Sequence, residues 1–183
     1  MMQVSESQNA QRTMKISTRA TIFLVSFLML TVVLALASTT KLSPQEATQL
    51  NQTVTAIKPT TLGIFFNNVR IDLIEFVPIL GPAFGVYVSY STGLVIAAIA
   101  QSSPVQGIGG FEAFLVLLIT PIYWMEFFSY SLAIEESVTL VISARSRQML
   151  RGEIKWLIGS ILLAVAVLFV SAHLEASLVG MFS

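Results

Sequence analysis

Apolar positions in this chain come in long, nearly continuous runs broken by short polar segments, without the alternation of strands or the narrow stripe of a soluble helix. Residues 1–19 are polar and carry Arg12, Lys15 and Arg19, and an apolar run from Ala20 to Ala37 follows. A cleaved signal peptide has an apolar region of about 7 to 15 residues. This run is longer and reads as a retained first span, with cleavage after Ala35–Ser38 as the alternative. Residues 38–61 are polar and bounded by Pro59. Within them Ser43-Pro44-Gln45-Glu46 predicts a short helix with Ser43 as N-cap, Pro44 at the first helical position and Glu46 closing a capping box.

The next run, Leu62 to Ala100, is too long for one straight span. It is interrupted by Pro78-Ile79-Leu80-Gly81-Pro82 and Gly85, residues that break helices or let backbones approach closely. Two helices, 62–80 and 83–100, are expected there. A loop from Gln101 to Gly110 contains Pro104 and three glycines, and its Gly107-Ile108-Gly109-Gly110 reads as a flexible turn because a phosphate loop needs a flanking strand and a lysine. A fourth apolar segment, 111–140, holds Pro121. The basic linker 145–155 carries Arg145, Arg147, Arg151 and Lys155, and the last span is 156–172, with Trp156 at the interface.

The positive-inside bias puts both basic flanks in the cytoplasm, so an even number of crossings must separate them. Counting Leu62–Ala100 as two crossings satisfies this and makes five spans; a re-entrant hairpin there ranks second. The fold class expected is therefore all-α, a polytopic transmembrane helix bundle, with residues 1–19 cytoplasmic, 20–183 one membrane domain and 38–61 extracytoplasmic.

Composition agrees. Of 183 residues, 55% are hydrophobic and 11% charged, with a mean hydropathy of +0.79, where an ordinary soluble domain is about a quarter charged. The net charge of zero gives no field for nucleic acid. Without cysteine, and with His173 the single histidine, no zinc or haem site is expected and no cofactor is implied. Asn51-Gln52-Thr53 is a glycosylation sequon on the expected outer side.

Charged groups inside apolar runs are costly and mark function or internal pairing. Asn68, Asp72 and Glu75 fall on one helical face, with Asn67 beside them and Arg70 turned away. An amphipathic helix at the outer interface is the other reading of this stretch. Glu126 lies deep in the fourth apolar segment, between Trp124, Met125, Phe127 and Phe128. Arg70 is the one cation within the apolar runs, so an Arg70–Glu126 pair is expected, with Tyr123, Ser129 and Tyr130 as hydrogen-bonding neighbours. Glu135 and Glu136 read as a solvated helix end meeting Arg145 or Arg147.

The stretch Leu62–Leu140 resembles the stage II sporulation protein M family of polytopic membrane proteins. The likeness rests on Phe65-Phe66-Asn67-Asn68-Val69-Arg70, the turn at Gly81, Pro82 and Gly85, Tyr90-Ser91-Thr92-Gly93-Leu94, and Pro121-Ile122-Tyr123-Trp124-Met125-Glu126. The family usually has histidine after that proline, where this chain has Ile122. The resemblance implies a non-catalytic membrane subunit. The leading expectation is a non-enzymatic scaffold that assembles in the cell membrane with other membrane protein subunits as a hetero- or homo-oligomer. The rivals are a transport or channel component using Asp72, Glu75 and Glu126, and an accessory subunit of a membrane enzyme complex.

Overall fold

The computed structural model describes residues 13–55, 60–102 and 109–182, all helical apart from short connections. Residues 1–12 with Arg12, the boundary at Pro59 and the loop residues 103–108 with Pro104 lie outside the described residues. Seven helices follow in order: α1 Ile16–Ser38, α2 Pro44–Thr55, α3 Thr61–Glu75, α4 Leu80–Ser102, α5 Gly110–Ile119, α6 Pro121–Ser143 and α7 Arg147–Phe182. Among the described residues α1, α4 and α7 are each long and apolar enough to cross a membrane, and α5 with α6 makes a fourth if that bent pair is one span. The molecule is a helical bundle of membrane-spanning length.

α6 is the centre of the bundle: α1, α3, α4, α5 and α7 all pack on it. α1 and α4 run side by side in the same direction. An added Cβ on Gly85 would strike Leu30 and Ile134, and one on Gly93 would strike Ala37 and the backbone of Leu34, so these glycines set how closely the helices approach. Leu30, Leu34, Tyr123, Phe127, Ile134 and Leu168 form the main apolar core.

α3 and α4 are joined by the tight connection 76–79, as the Pro/Gly break anticipates. Pro78 offers no N–H to continue α3. Ile79 takes φ 73, a left-handed conformation that costs a β-branched residue. The turn is fastened to the bundle where Ser137 Oγ donates to Val77 O at 2.9 Å. α3 stops at Glu75 and has 15 residues, about 22 Å at 1.5 Å per residue, so it is shorter than the expected span 62–80.

Two expected boundaries are corrected. The segment 111–140 is not one helix: α5 and α6 meet at 86°. Pro121 cannot donate to the preceding turn and forces Thr120 out of the helical region (φ −75°, ψ 141°), which then caps α6 through Tyr123 N. The basic linker is not a separate connection, because α7 already begins at Arg147 and runs for 36 residues. Arg147, Arg151 and Lys155, spaced by four, thus lie along one helical face, all exposed.

The capping box forms as expected. Ser43 N and Oγ donate to Glu46 Oε2 at 2.9 and 2.7 Å, and Glu46 N donates back to Ser43 Oγ at 3.3 Å. These bonds hold the Glu46 carboxyl below its ordinary pKa of 4.5. Asn51 lies within α2, so the sequon is helical and lacks the loop setting usual for an acceptor.

Candidate functional site

Two polar centres sit inside this apolar bundle. One is at the end where α1 and α7 begin, which carries the basic residues. Arg19, in the second turn of α1, is buried and reaches three glutamates. Its Nε lies 3.3 Å from Glu135 Oε1, its Nη1 2.5 Å from Glu153 Oε2, and its Nη2 pairs with Glu136. Thr139 Oγ1 donates to Glu135 at 2.9 Å and Ser160 Oγ to Glu136 at 2.6 Å. Met14 N donates to the second oxygen of Glu153 at 2.6 Å, and the guanidinium lies 5.1 Å from the Trp156 ring centroid. A planar guanidinium with five donors can serve several carboxylates at once.

This overturns the reading of Glu135 and Glu136 as a solvated helix end. Both are buried, and their cation is Arg19, not Arg145 or Arg147, which are exposed. Arg19 was counted with the polar flank, whereas α1 starts at Ile16 and places it within the bundle. Glu153, fully buried on the first turns of α7, was likewise read as part of a solvated linker.

The second centre is a cavity of about 360 Å³ between α3, α4, α6 and the far part of α7, in the half of the bundle away from the basic end. Asn67, Asn68, Ser89, Thr92, Tyr123, Glu126, Tyr130 and Glu175 supply its polar lining. Asn68 Nδ2 donates to Glu126 Oε1 at 2.5 Å, and Asn67 Nδ2 donates to Asn68 Oδ1 at 3.3 Å. Further along the same face of α3, Asp72 and Glu75 are 0% exposed. Neither carboxylate has a hydrogen-bond partner among the described residues. Glu75 lies beside Gly85 and would crowd any side chain there. Tyr130, buried one turn along α6 from Glu126, lines the same cavity as Glu126 and Glu175.

Of the residues expected to form a network, the structure brings Asn67, Asn68, Asp72, Glu75 and Glu126 to this one region. It leaves Arg70 out. Arg70 is exposed and takes part in no ion pair among the described residues, all of whose salt bridges belong to Arg19. The expected Arg70–Glu126 pair is therefore replaced by Asn68–Glu126. The reason is helical phase: two residues after Asn68 the backbone has turned about 200°, so when Asn68 faces the cavity Arg70 faces out. Glu175 was not singled out, because the last span was taken to end at 172 and α7 continues past it. His173 is exposed at the helix surface, its Nδ1 3.0 Å from Phe169 O, and joins neither centre.

Chemically, the cavity offers carboxylates, carboxamides, hydroxyls and phenols, and no cation among the described residues. Among the described residues no three acidic or histidine side chains converge closely enough to hold a metal ion.

The class defined by fold and site is a helical bundle with apolar helices of membrane-spanning length and an acidic polar interior. No family model, curated protein or solved structure matches the chain. The likeness to the stage II sporulation protein M family thus rests on the short motifs within Leu62–Leu140 alone.

Proposed function

We propose that the chain is a non-enzymatic proton-handling component of a membrane transport system, with the α3–α4–α6–α7 cavity as its vestibule. Glu126 and Glu175 exchange protons at the cavity wall, Tyr130 bridges inward, and Asp72 and Glu75 form the buried relay. The observation that carries this reading is the pair Asp72–Glu75, enclosed in the bundle without a hydrogen-bond partner among the described residues. A purely structural network ties its carboxylates to a cation, as the Arg19 centre does. Ionisable groups that face the interior of a membrane bundle mark substrate, ion or proton pathways. A proton is favoured over a metal cation because a dehydrated cation needs several converging oxygen ligands, whereas a proton needs one carboxylate at a time.

The same reading takes the basic end, with the N-terminus, as cytoplasmic in the cell membrane, following the positive-inside bias. α1, α3, α4, α6 and α7 are then the five crossings, and α5 lies against the outer interface. Residues 38–61 face outside, which puts Asn51 on the side where glycosylation takes place.

A hydrophobic carbodiimide, whose central carbon is attacked by a carboxyl oxygen once the carboxyl proton has passed to its nitrogen, tests the site directly. Glu126 should be labelled in membranes, with labelling that falls as pH rises and is unchanged by added Na⁺ or Ca²⁺. Absence of label on every cavity carboxylate would overturn the reading. Protection by either cation would replace the proton with that ion.

A further inference from the structure

α1 and α7 both pack on α6; their backbones stay apart, bridged at the basic end by Arg19 and Glu153, and the gap between them is a groove on the outside of the bundle. Its first part, about 550 Å³, is walled by Ile16, Phe23, Phe128, Leu132, Trp156 and Gly159. Sharing Phe23 and Phe128, a second part of about 500 Å³ continues it past Phe27 and Trp124 to Val167. The walls are apolar except at the basic end, where Lys155, Arg19 and Glu135 line the mouth.

Three features fix what suits this groove. Arg19 is engaged by its three glutamates, while Arg147, Arg151 and Lys155 are exposed on one face of α7 and in no ion pair among the described residues. That basic stripe leads up to the mouth, so a negative charge is favoured there. From Lys155 to Val167 the groove runs about 18 Å along the helix, close to the roughly 15 Å of one leaflet of a bilayer whose hydrocarbon is about 30 Å thick. Trp156, half-exposed beside the mouth, is a side chain that settles at the level between headgroup and hydrocarbon.

We infer that the groove is a binding site for one anionic phospholipid of the basic-end leaflet. Its phosphate lies against Lys155 and Arg151, and an acyl chain is laid between α1 and α7 over Phe128. The site is separate from the acidic cavity and does not depend on the function proposed for it.

The chain has two tryptophans, and both line the groove, so lipid occupancy can be read from fluorescence. In Trp124→Phe, Trp156 is the single emitter. The protein is reconstituted in phosphatidylcholine vesicles containing a small fraction of acyl-brominated phosphatidylglycerol or, in parallel, acyl-brominated phosphatidylcholine. Brominated phosphatidylglycerol should quench Trp156 several-fold more than brominated phosphatidylcholine at the same mole fraction. Lys155→Glu should remove that difference. So should Gly159→Leu, since an added Cβ there meets nothing within 4 Å and the larger side chain fills the groove without displacing protein. Circular dichroism confirms that the variants keep their helices. Equal quenching by the two lipids in the parent protein would overturn the inference, as would a difference that survives Gly159→Leu. A second copy or another protein helix seated in the groove would shield Trp156 from both lipids alike, and that result also rejects it.

Discussion

Asn68 and Arg70 stand two positions apart and have opposite fates, which makes them the sharpest test of the site at the residue scale. Arg70→Met, on an exposed face, should change the stability of the detergent-solubilised protein by less than about 0.5 kcal/mol. Arg19→Met should instead cost about 3 to 5 kcal/mol, because it strands three buried carboxylates. In a double-mutant cycle, Asn68→Leu and Glu126→Gln should couple, while Arg70→Met and Glu126→Gln should be additive. Thermal unfolding in mild detergent measures each, and coupling between Arg70 and Glu126 would reject the geometry. The shared face of Asn68, Asp72 and Glu75 was legible from spacing alone, since periodicity needs no tertiary knowledge. The partner of Glu126 was not. It was chosen by counting cations inside apolar runs, and that argument could see neither an uncharged asparagine as the donor nor an arginine in the polar flank that is folded into the bundle.

Helix boundaries carry the next set of consequences. The Ser43–Glu46 box lies outside the apolar helices, and the carboxyl of Glu46 is held below its ordinary pKa by the two Ser43 bonds. A depressed carboxyl contributes stability above its unfolded pKa and loses it as pH falls through the lower folded value. α2 should therefore fray below pH 4.5, and Ser43→Ala, which keeps the backbone bond but loses the hydroxyl one, should weaken that acid dependence, both read by amide exchange across Pro44–Thr55. At the α3–α4 turn, Ile79 is 76% exposed with φ 73, so replacing it loses little packing. A left-handed residue with a side chain costs about 1 to 2 kcal/mol, and Ile79→Gly should raise the melting temperature by a corresponding amount. A lowered melting temperature would show that the turn is not strained there. Proline and glycine punctuation made these turns readable in advance, including the break between α3 and α4. The bend at Thr120 was missed although Pro121 was in view, because hydropathy is continuous across it and says nothing of direction. The start of α7 was missed for the opposite reason: its charges look like a loop while its backbone is helical.

At the scale of the whole molecule, the bundle separates its two polar centres along α6. The Arg19 centre at the basic end gathers three glutamates on one guanidinium and ties α1, α6 and α7 together. The cavity and the neighbouring Asp72 and Glu75 have the carboxamides of Asn67 and Asn68 and the phenols of Tyr123 and Tyr130 in their walls, and no cation among the described residues. The central claim is that this second centre carries protons. It is tested most directly by reconstituting the protein in liposomes that contain a pH-sensitive dye and imposing an inside-negative potassium diffusion potential. Proton entry should exceed that of empty liposomes, and both Glu126→Gln and Asp72→Asn, which keep side-chain shape, should lower it at least tenfold, while Arg70→Met leaves it unchanged. Parent protein that admits no more protons than empty liposomes, or Asp72→Asn protein that conducts as well as the parent, would contradict the account.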